Sequence, residues 1–295
     1  MKKHTVFRGA ATALITPLNA EGVDYAAFGR LIDWQIEQGI DALVIAGTTG
    51  EGSTLTSQEH EECIRFAVER AAGRVPIIAG SGSNDTNRAI TLSKFSCRAG
   101  ADALLVVTPY YNKATQKGLI ASYTAVADAV DRPIILYNVP SRTGVNIEPA
   151  TYAQLAKHPN IVGIKEANGN ISKIVETARL VGDKLAIYSG NDDQVVPLLA
   201  MGGSGVISVL SNVMPAATVR MCRCFFEGDV AGSAKMQMDL LPLIQALFSE
   251  VNPIPVKAAM AAMGWCENCV RLPLTPMEDE HWQRLKAIME GHGLI

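Results

Sequence analysis

The sequence predicts an α/β protein: a (βα)8 TIM barrel with a C-terminal helical extension. Eight short runs rich in Val, Ile and Leu recur along the chain with little polar alternation, which is typical of parallel strands buried on both faces. Amphipathic segments with helical spacing separate them. Eight such units in about 220 residues favour a closed barrel over an open doubly wound sheet, which usually has fewer strands. The predicted strands span residues 10–16, 41–47, 75–81, 101–108, 132–139, 160–165, 185–190 and 205–210.

The segments between the strands have the spacing of helices packed on one side. Phe28, Leu31 and Ile32 fall on one face of the first of them. Several segments end at a glycine, which is the residue expected just beyond a helix C-terminus, in the C′ position; the predicted examples are Gly39, Gly100 and Gly182. The predicted helices are Tyr25–Gln38, Gln58–Ala72, Asn87–Ala99, Gly118–Val130 and Ile171–Val181.

The last part of the chain lacks the strand pattern. We predict a barrel over residues 1–214 and three or four further helices over 215–295, packed on the barrel because no Ser/Gly/Pro-rich linker precedes them. These include Ala216–Phe226, Ala231–Phe248 and Val256–Met263.

Composition narrows the classes of function. The chain has 295 residues, 48% hydrophobic and 19% charged, so it can bury a large core. A net charge of −3, with no basic run beyond Lys2–Lys3, argues against nucleic-acid or membrane-surface partners. The first twenty residues resemble a secretory signal, but Arg8 interrupts the apolar run and leaves it too short. A cytoplasmic location is therefore expected.

The six cysteines are expected to be reduced thiols. Two pairs, "CRC" at 222–224 and "CENC" at 266–269, could suggest zinc, but they lie about 40 residues apart and the first has the wrong internal spacing for a structural site. We expect no metal and no cofactor.

The chemistry of a TIM barrel lies at the C-terminal ends of its strands, where this chain is unusually polar. The sixth predicted strand, "NIVGIK", ends in Lys165. Among apolar residues the ammonium form is disfavoured, and a neutral amine can attack a ketone to form a Schiff base. Tyr137 ends the fifth strand and should lie beside that amine, where a phenol can relay protons.

Other strand ends add candidate binding groups. Thr48 and Thr49 stand between two glycines in "GTTGE", a loop whose amides and hydroxyls could bind a small carboxylate. "TPYYN" follows the fourth strand, and Arg142 lies in "YNVPSRTG" after the fifth.

Each candidate also has an ordinary structural explanation. Lys165 could extend its amine to solvent or pair with Glu166, and Tyr137 could be a core aromatic residue. The two threonines could form a plain βα turn. Residues 110–111 could be surface tyrosines, and Arg142 a solvated loop charge. Gly190 and Ile207 could serve packing alone.

Taken together, the ordered motifs resemble the pyruvate-dependent class I aldolases, the family that contains dihydrodipicolinate synthase and N-acetylneuraminate lyase. The resemblance covers almost the whole chain and is highly specific as a set. It is carried by "TALITP", "GTTGE", "TPYYN", "YNVPSRTG", "GIKEANGN", "GGSGVISV" and "NPIPVK".

The resemblance implies roles that composition and spacing do not show. Lys165 would form the Schiff base with pyruvate, and Tyr137 would donate and accept protons beside it. Thr48 and Tyr111 would complete a hydroxyl relay, with this tyrosine supplied by a neighbouring subunit of a homotetramer built from tight dimers. Arg142 would bind the carboxylate of L-aspartate 4-semialdehyde. The residues implied to contact substrate are Thr49, Arg142, Gly190 and Ile207.

Three functions compete at this stage. The first is condensation of pyruvate with L-aspartate 4-semialdehyde to 4-hydroxy-tetrahydrodipicolinate, on the route to diaminopimelate and lysine. The second is a sister aldolase that cleaves a sugar acid such as N-acetylneuraminate. Arg142 favours the first, because a guanidinium suits a short substrate ending in a carboxylate. The third is a non-catalytic barrel that binds ligands, which the presence of both lysine and tyrosine disfavours.

The resemblance also implies an effector site for L-lysine. Lysine-sensitive members of the family bind it between two barrels, and they have a glutamate facing the ligand's ε-ammonium where this chain has Arg88. We therefore expect weak or absent inhibition by lysine. The matching positions are Ser53, Ser57, His60, Asn84, Arg88 and Tyr110.

Overall fold

A computed structural model describes residues 5–295; the pair Lys2–Lys3 lies outside the described residues. The strands are β1 (Gly9–Ala13), β2 (Leu18–Asn19), β3 (Gly22–Val23), β4 (Ala42–Ile45), β5 (Ile77–Gly80), β6 (Ala103–Val107), β7 (Ile134–Asn138), β8 (Ile161–Glu166), β9 (Ala186–Ser189) and β10 (Gly205–Ser208). Eight of them are parallel and close into a barrel in the order β1-β10-β9-β8-β7-β6-β5-β4, which confirms the predicted fold. The antiparallel pair of two-residue strands, β2 and β3, was not predicted.

The helices follow the strands as the alternating pattern requires. Four helices, α9 to α12, lie within residues 215–295, in agreement with the three or four expected there. The helices are α1 (Tyr25–Glu37), α2 (Ser57–Ala71), α3 (Thr86–Arg98), α4 (Gln116–Asp128), α5 (Pro140–Thr143), α6 (Pro149–Leu155), α7 (Ile171–Val181), α8 (Val195–Ala200), α9 (Pro215–Phe226), α10 (Val230–Leu247), α11 (Ile254–Ala262) and α12 (Asp279–Gly291).

Side-chain hydrogen bonds cap the N-termini of several helices. Thr56 and Glu59 form a reciprocal capping box at the start of α2. At the other ends, Gly39 and Gly100 occupy the predicted C′ positions with φ of 82° and 94°. Gly182 was placed one residue too far out: it is itself the C-cap of α7, which ends at Val181.

Two apolar layers stabilise the barrel. A small inner cluster fills the lumen with side chains that point inward from the strands, among them Val44, Ile135 and Tyr137. A larger outer cluster lies between the strands and the helices. Because successive residues of a strand face opposite sides, the inner layer and the outer layer draw on alternate residues. This alternation decides which strand-end side chains enter the mouth of the barrel.

The C-terminal helices pack on the barrel without a linker. Helix α9 contacts β1 and α8, and α10 packs along α9. Helix α11 contacts α10 and α12, and the segment before it reaches the barrel mouth through Asn252. None of the helices within residues 5–295 has the length and apolar character needed to cross a membrane.

Candidate active site

Three neighbouring strands place Tyr137, Lys165 and Tyr188 in one row inside the barrel. Lys165 of β8 pairs in register with Tyr137 of β7 on one side and with Tyr188 of β9 on the other. Its side chain is only 5% exposed, and Nζ lies 4.4 Å from the centroid of the Tyr137 ring. The amine and the phenol ring are therefore adjacent, in a largely desolvated setting, and do not point to solvent.

The floor below the amine is apolar and closed. The Tyr188 ring stacks on Phe7 with a centroid separation of 4.3 Å, and its hydroxyl donates to the Phe7 carbonyl oxygen at 2.7 Å. Ile207 lies in the same inner cluster and is fully buried. On this side, aromatic and aliphatic side chains therefore surround the lysine.

Gly190 lies directly against the lysine. A Cβ atom at this position would be 3.2 Å from Lys165 Cε and 2.8 Å from the Ala167 Cβ. A side chain here would push on the lysine stem or on the chain beside it. A glycine therefore fits at this position without displacing the lysine stem or Ala167.

The loop after β4 brings two threonines to the mouth. Thr48 lines the cavity there, whereas Thr49 is buried and its Oγ1 accepts a hydrogen bond of 3.0 Å from Asn252 Nδ2. Arg142, from the short helix α5, donates from Nη2 to the Asn252 backbone oxygen at 3.1 Å. Asn252 therefore joins the threonine loop to the arginine across the mouth.

A cavity of about 280 Å³ lies at the mouth of the barrel. Thr48, Tyr137 and Arg142 all line it. The cavity can admit a molecule of a few carbon atoms, with a phenol at one side and a guanidinium at its rim. Half of the residues that line it have polar side chains and half are apolar or glycine, so the cavity offers several hydrogen-bonding groups to a small molecule.

Glu166 does not pair with Lys165, which corrects one of the structural explanations considered for that lysine. The two residues are consecutive in β8, so their side chains leave opposite faces of the sheet. Glu166 instead accepts hydrogen bonds from Asn138 Nδ2 at 2.9 Å, from the Tyr152 hydroxyl at 2.9 Å and from the Asn168 amide at 3.0 Å. Burial raises the pKa of Glu166 to about 7, although these hydrogen bonds act in the opposite direction.

The raised pKa makes Glu166 a source of pH-dependent stability. An unfolded glutamate has a pKa near 4.5, so between about pH 4.5 and 7 the unfolded chain loses a proton that the folded chain retains. The free energy of unfolding should therefore fall as pH rises through this window, by on the order of 3 kcal/mol. Glu166→Gln should remove that part of the slope, as measured by denaturant unfolding at pH 5 and pH 8.

The control for this prediction is Glu37→Gln, at an exposed carboxyl at the end of α1. It should leave the difference between the two pH values unchanged. A slope in Glu166→Gln equal to that of the parent would contradict the assignment of the pH dependence to this buried carboxyl.

The two tyrosines of "TPYYN" differ in their exposure to solvent. Tyr110 is partly exposed and lines the cavity. Tyr111 is 90% exposed and has φ of 73°, in the left-handed region that a bulky residue rarely adopts. Within one chain, Tyr111 thus projects from the surface while Tyr137 lies inside the barrel.

Most of the expected effector residues line the same cavity. Ser53, His60, Arg88 and Tyr110 do so, whereas Ser57 is exposed at the start of α2. Burial lowers the pKa of His60, and the charge of Arg88 acts in the same direction.

Asn84 is tied into the neighbouring loop. Its backbone oxygen accepts a hydrogen bond of 2.9 Å from Asn112 Nδ2.

Sequence reasoning missed several buried polar groups around the mouth. Glu51 forms an ion pair with Lys257. Asp192 is buried beside the eighth barrel strand, where its Oδ2 accepts from the Val209 and Leu210 amides at 2.9 Å. Burial raises the pKa of Asp192, partly offset by these hydrogen bonds and by the Lys165 charge. "GTTGE" and "NPIPVK" contained the signal for the ion pair, since each ends in a charged residue within an otherwise neutral motif.

Within residues 5–295 no group of three His, Cys, Asp or Glu side chains is placed to hold a metal ion. The six cysteines are free thiols. Those at 266 and 269 pack against the outer apolar cluster.

The sequence profile of the dihydrodipicolinate synthetase family matches residues 6–292. The chain belongs to this family. One relative is the 4-hydroxy-tetrahydrodipicolinate synthase of Lachnoclostridium phytofermentans. It is 55% identical to this chain over 293 residues, which cover 98% of this chain and 99% of the relative.

Solved structures of the dihydrodipicolinate synthetase family agree with the barrel. The chloride-inhibited dihydrodipicolinate synthase from Acinetobacter baumannii, complexed with pyruvate, has a TM-score of 0.96 and 42% identity and covers 99% of this chain and 100% of its own. A monomeric dihydrodipicolinate synthase variant has a TM-score of 0.97 and 43% identity and covers 98% of each chain.

Proposed function

We propose that this protein is a lyase that condenses pyruvate with L-aspartate 4-semialdehyde to give 4-hydroxy-tetrahydrodipicolinate, through a Schiff base on Lys165. The observation that carries the proposal is the buried Lys165 amine beside the ring of Tyr137, a residue that itself lines a cavity of about 280 Å³. The names of close relatives, and the pyruvate bound to a family member of known structure, support it.

The proposed chemistry uses the side chains of the barrel mouth. The Lys165 nitrogen attacks the ketone carbon of pyruvate and water leaves, which forms an imine. Loss of a methyl proton gives an enamine, whose carbon then bonds to the aldehyde carbon of the second substrate. Attack of that substrate's own amine on the imine carbon closes the ring and releases Lys165. Tyr137, with Thr48 and Tyr111 as a hydroxyl relay, moves the protons.

Binding of the two carboxylates falls to different groups. Pyruvate would lie next to Lys165, with Thr49, Gly190 and Ile207 as the residues that contact it; the position of Gly190 against the lysine stem supports this. Arg142 lines the cavity and is exposed, so the carboxylate of the longer substrate would be able to reach it. A guanidinium there suits a terminal carboxylate better than the hydroxyls of a sugar acid, which favours the synthase over an N-acetylneuraminate lyase.

Direct assay of both reactions tests the proposal. Purified protein should consume pyruvate only when L-aspartate 4-semialdehyde is present, and it should not release pyruvate from N-acetylneuraminate. Cleavage of the sugar acid without condensation would assign the sister activity. Binding of pyruvate with neither reaction would leave a ligand-binding barrel.

Arg142→Ala should raise KM for L-aspartate 4-semialdehyde by roughly 10- to 150-fold, because a hydrogen bond to a charged group contributes about 1.5–3 kcal/mol. KM for pyruvate should change far less, since Arg142 is exposed whereas Lys165, which would hold pyruvate, is buried. Steady-state kinetics with each substrate varied in turn measures the difference. Arg179→Ala, at an exposed arginine on α7, is the control and should alter neither constant. An equal loss for both substrates would reassign Arg142 to the pyruvate site or to loop folding.

We also propose a homotetramer built from tight dimers. The support is Tyr111, an aromatic residue 90% exposed on a strained backbone, which a second copy of the chain could receive into its own active site. A monomeric synthase with the same fold shows that the barrel alone does not require assembly. Sedimentation velocity tests the state directly: a tetramer supports the proposal, and a monomer that is fully active contradicts it.

L-Lysine should inhibit this protein weakly or not at all. Arg88 lines the cavity with His60 and Tyr110, so its charge faces any ligand there. A unit charge pair at about 4 Å, with an effective dielectric near 20, interacts by roughly 4 kcal/mol. Replacing attraction by repulsion toward the ε-ammonium should therefore weaken binding more than about tenfold even after strong screening.

The measurement is initial rate against lysine concentration for the parent and for Arg88→Glu, which should gain sensitivity. Strong inhibition of the parent at sub-millimolar lysine would refute this.

We propose a cytoplasmic location because the six cysteines are free thiols, which suit a reducing compartment.

We also propose that the chain divides into a barrel over residues 1–214 and a helical region over residues 215–295.

A further inference from the structure

The loop that carries the two threonines is held in an unfavourable backbone conformation. Ala46 and Glu51 bound it, and both have φ of 54°, in the left-handed region that L residues avoid. Such residues persist only where the surrounding structure holds them. The conformation of Thr48 and Thr49 therefore depends on contacts made at the ends of the loop.

Glu51 makes those contacts with a distant part of the chain. Its Oε1 lies 2.5 Å from Lys257 Nζ of α11, and its Oε2 accepts a hydrogen bond of 3.0 Å from the Arg271 amide. The Glu51 and Lys257 side chains are 1% and 0% exposed. Both carboxylate oxygens are thus engaged away from water, in a place where a charge pair is poorly screened.

Backbone hydrogen bonds and close packing connect Glu51 rigidly to Thr48, so that a movement of Glu51 also moves Thr48. The Glu51 amide donates to the Thr48 carbonyl oxygen at 3.1 Å, and the Gly52 amide donates to the Gly47 carbonyl oxygen at 3.0 Å. At Gly52 there is no room even for a Cβ, which would lie 2.2 Å from the Ala46 carbonyl oxygen. The loop therefore moves as one body with the Glu51 carboxylate.

The same C-terminal segment also contacts the substrate-facing groups. Asn252, five residues before Lys257, donates to Thr49 Oγ1 and receives Arg142 on its backbone oxygen. The segment from Asn252 to Lys257 therefore holds the threonine loop through Lys257 and contacts Thr49 and Arg142 through Asn252.

We infer that Glu51 and Lys257 are positioning residues: their buried ion pair fixes the loop so that the Thr48 hydroxyl lies in reach of the proton relay around Lys165. This inference rests on the proposed function. Neither residue touches the reacting atoms; both act through Thr48. An isolated buried charge is costly, whereas an ion pair can be exchanged for neutral groups of similar size with little loss of stability. A pure stability role would therefore not require the pair.

The test exchanges the whole pair, Glu51→Gln with Lys257→Met, in the parent and in a Thr48→Val background. In the parent background kcat should fall roughly 10- to 100-fold, the effect of a misplacement of about 1 Å at a reacting group. Thermal melting should show a folded protein. In the Thr48→Val background the same exchange should lower kcat by less than about threefold, because the hydroxyl it positions is already gone.

A second variant and a control sharpen the test. Glu51→Asp keeps the charge, shortens the reach by one methylene and should show a smaller loss of kcat that also disappears in the Thr48→Val background. The control exchanges an exposed pair on α10, Lys235→Met with Asp239→Asn, and should leave kcat unchanged. Equal losses in both backgrounds, or no loss in the parent, would overturn the inference.

Failure of the proposed function has a different signature. If the parent forms no pyruvate adduct on Lys165, that function fails and the inference falls with it. If the adduct forms and the pair exchange has no effect on kcat, only the inference fails.

Discussion

Lys165→Met should lower kcat at least about a thousandfold, because it removes the nucleophile and no neighbouring group can replace it. Methionine has a similar length and no charge to bury, so it can pack among Tyr137, Tyr188 and the inner apolar cluster with little loss of stability. The measurement combines the rate of condensation with thermal melting. The variant should be folded and inactive.

The matched control is Lys157→Met, at an exposed lysine after α6. It should retain parental activity. If Lys165→Met kept more than about a tenth of the parental kcat, Schiff-base catalysis at this position would be wrong, whatever the fate of the fold.

Tyr137→Phe should lower kcat by roughly 10²- to 10⁴-fold, the usual contribution of a positioned acid or base. The ring that lies 4.4 Å from Lys165 Nζ is retained, so the surroundings of the amine are preserved and only the hydroxyl is lost. Pyruvate should still be trapped on Lys165, more slowly. Pre-steady-state measurement of imine formation, set beside the overall rate, separates the two effects.

The barrel supplies a control for Tyr137 on the other side of the lysine. Tyr188 pairs in register with Lys165 just as Tyr137 does, but its hydroxyl donates to the Phe7 carbonyl oxygen at the closed end. Tyr188→Phe should cost stability, about 1–3 kcal/mol for a buried acceptor left unpaired, while kcat changes by less than about threefold. Equal losses of kcat from the two variants would mean that neither hydroxyl has a specific role in proton transfer.

The fold was predictable because two patterns are strong in the sequence: the apolar runs of the strands and the helical spacing of the segments between them. All eight barrel strands were placed from apolar runs, since strands buried on both faces leave an unmistakable pattern. Helices α5, α6 and α8 were missed: "PSRT", "PATYAQL" and "VVPLLA" are four, seven and six residues long, too short to show a helical period. The hairpin at Leu18–Val23 has strands of two residues and no alternation to detect.

The site was predictable only where chemistry coincides with a strand end. Lys165 and Tyr137 terminate β8 and β7, and the topology rule for barrels brings such residues to one mouth. Glu51 and Lys257 are separated by 206 positions in the chain, and Thr49 and Asn252 by 203. Local patterns carry no information on contacts of that range. The orientation of Glu166 was available from the alternation of side chains along a strand, which places it opposite Lys165.

Reductive trapping with pyruvate tests the central claim most directly. Borohydride reduces an imine to a stable amine, so the parent incubated with pyruvate and borohydride should lose activity and carry one reduced pyruvate on the peptide that contains Lys165. Lys257 provides an internal comparison, because it is the other deeply buried lysine within residues 5–295 but is held by Glu51. An adduct on Lys165 alone is the predicted result. An adduct on Lys257, or on no lysine, would contradict the account.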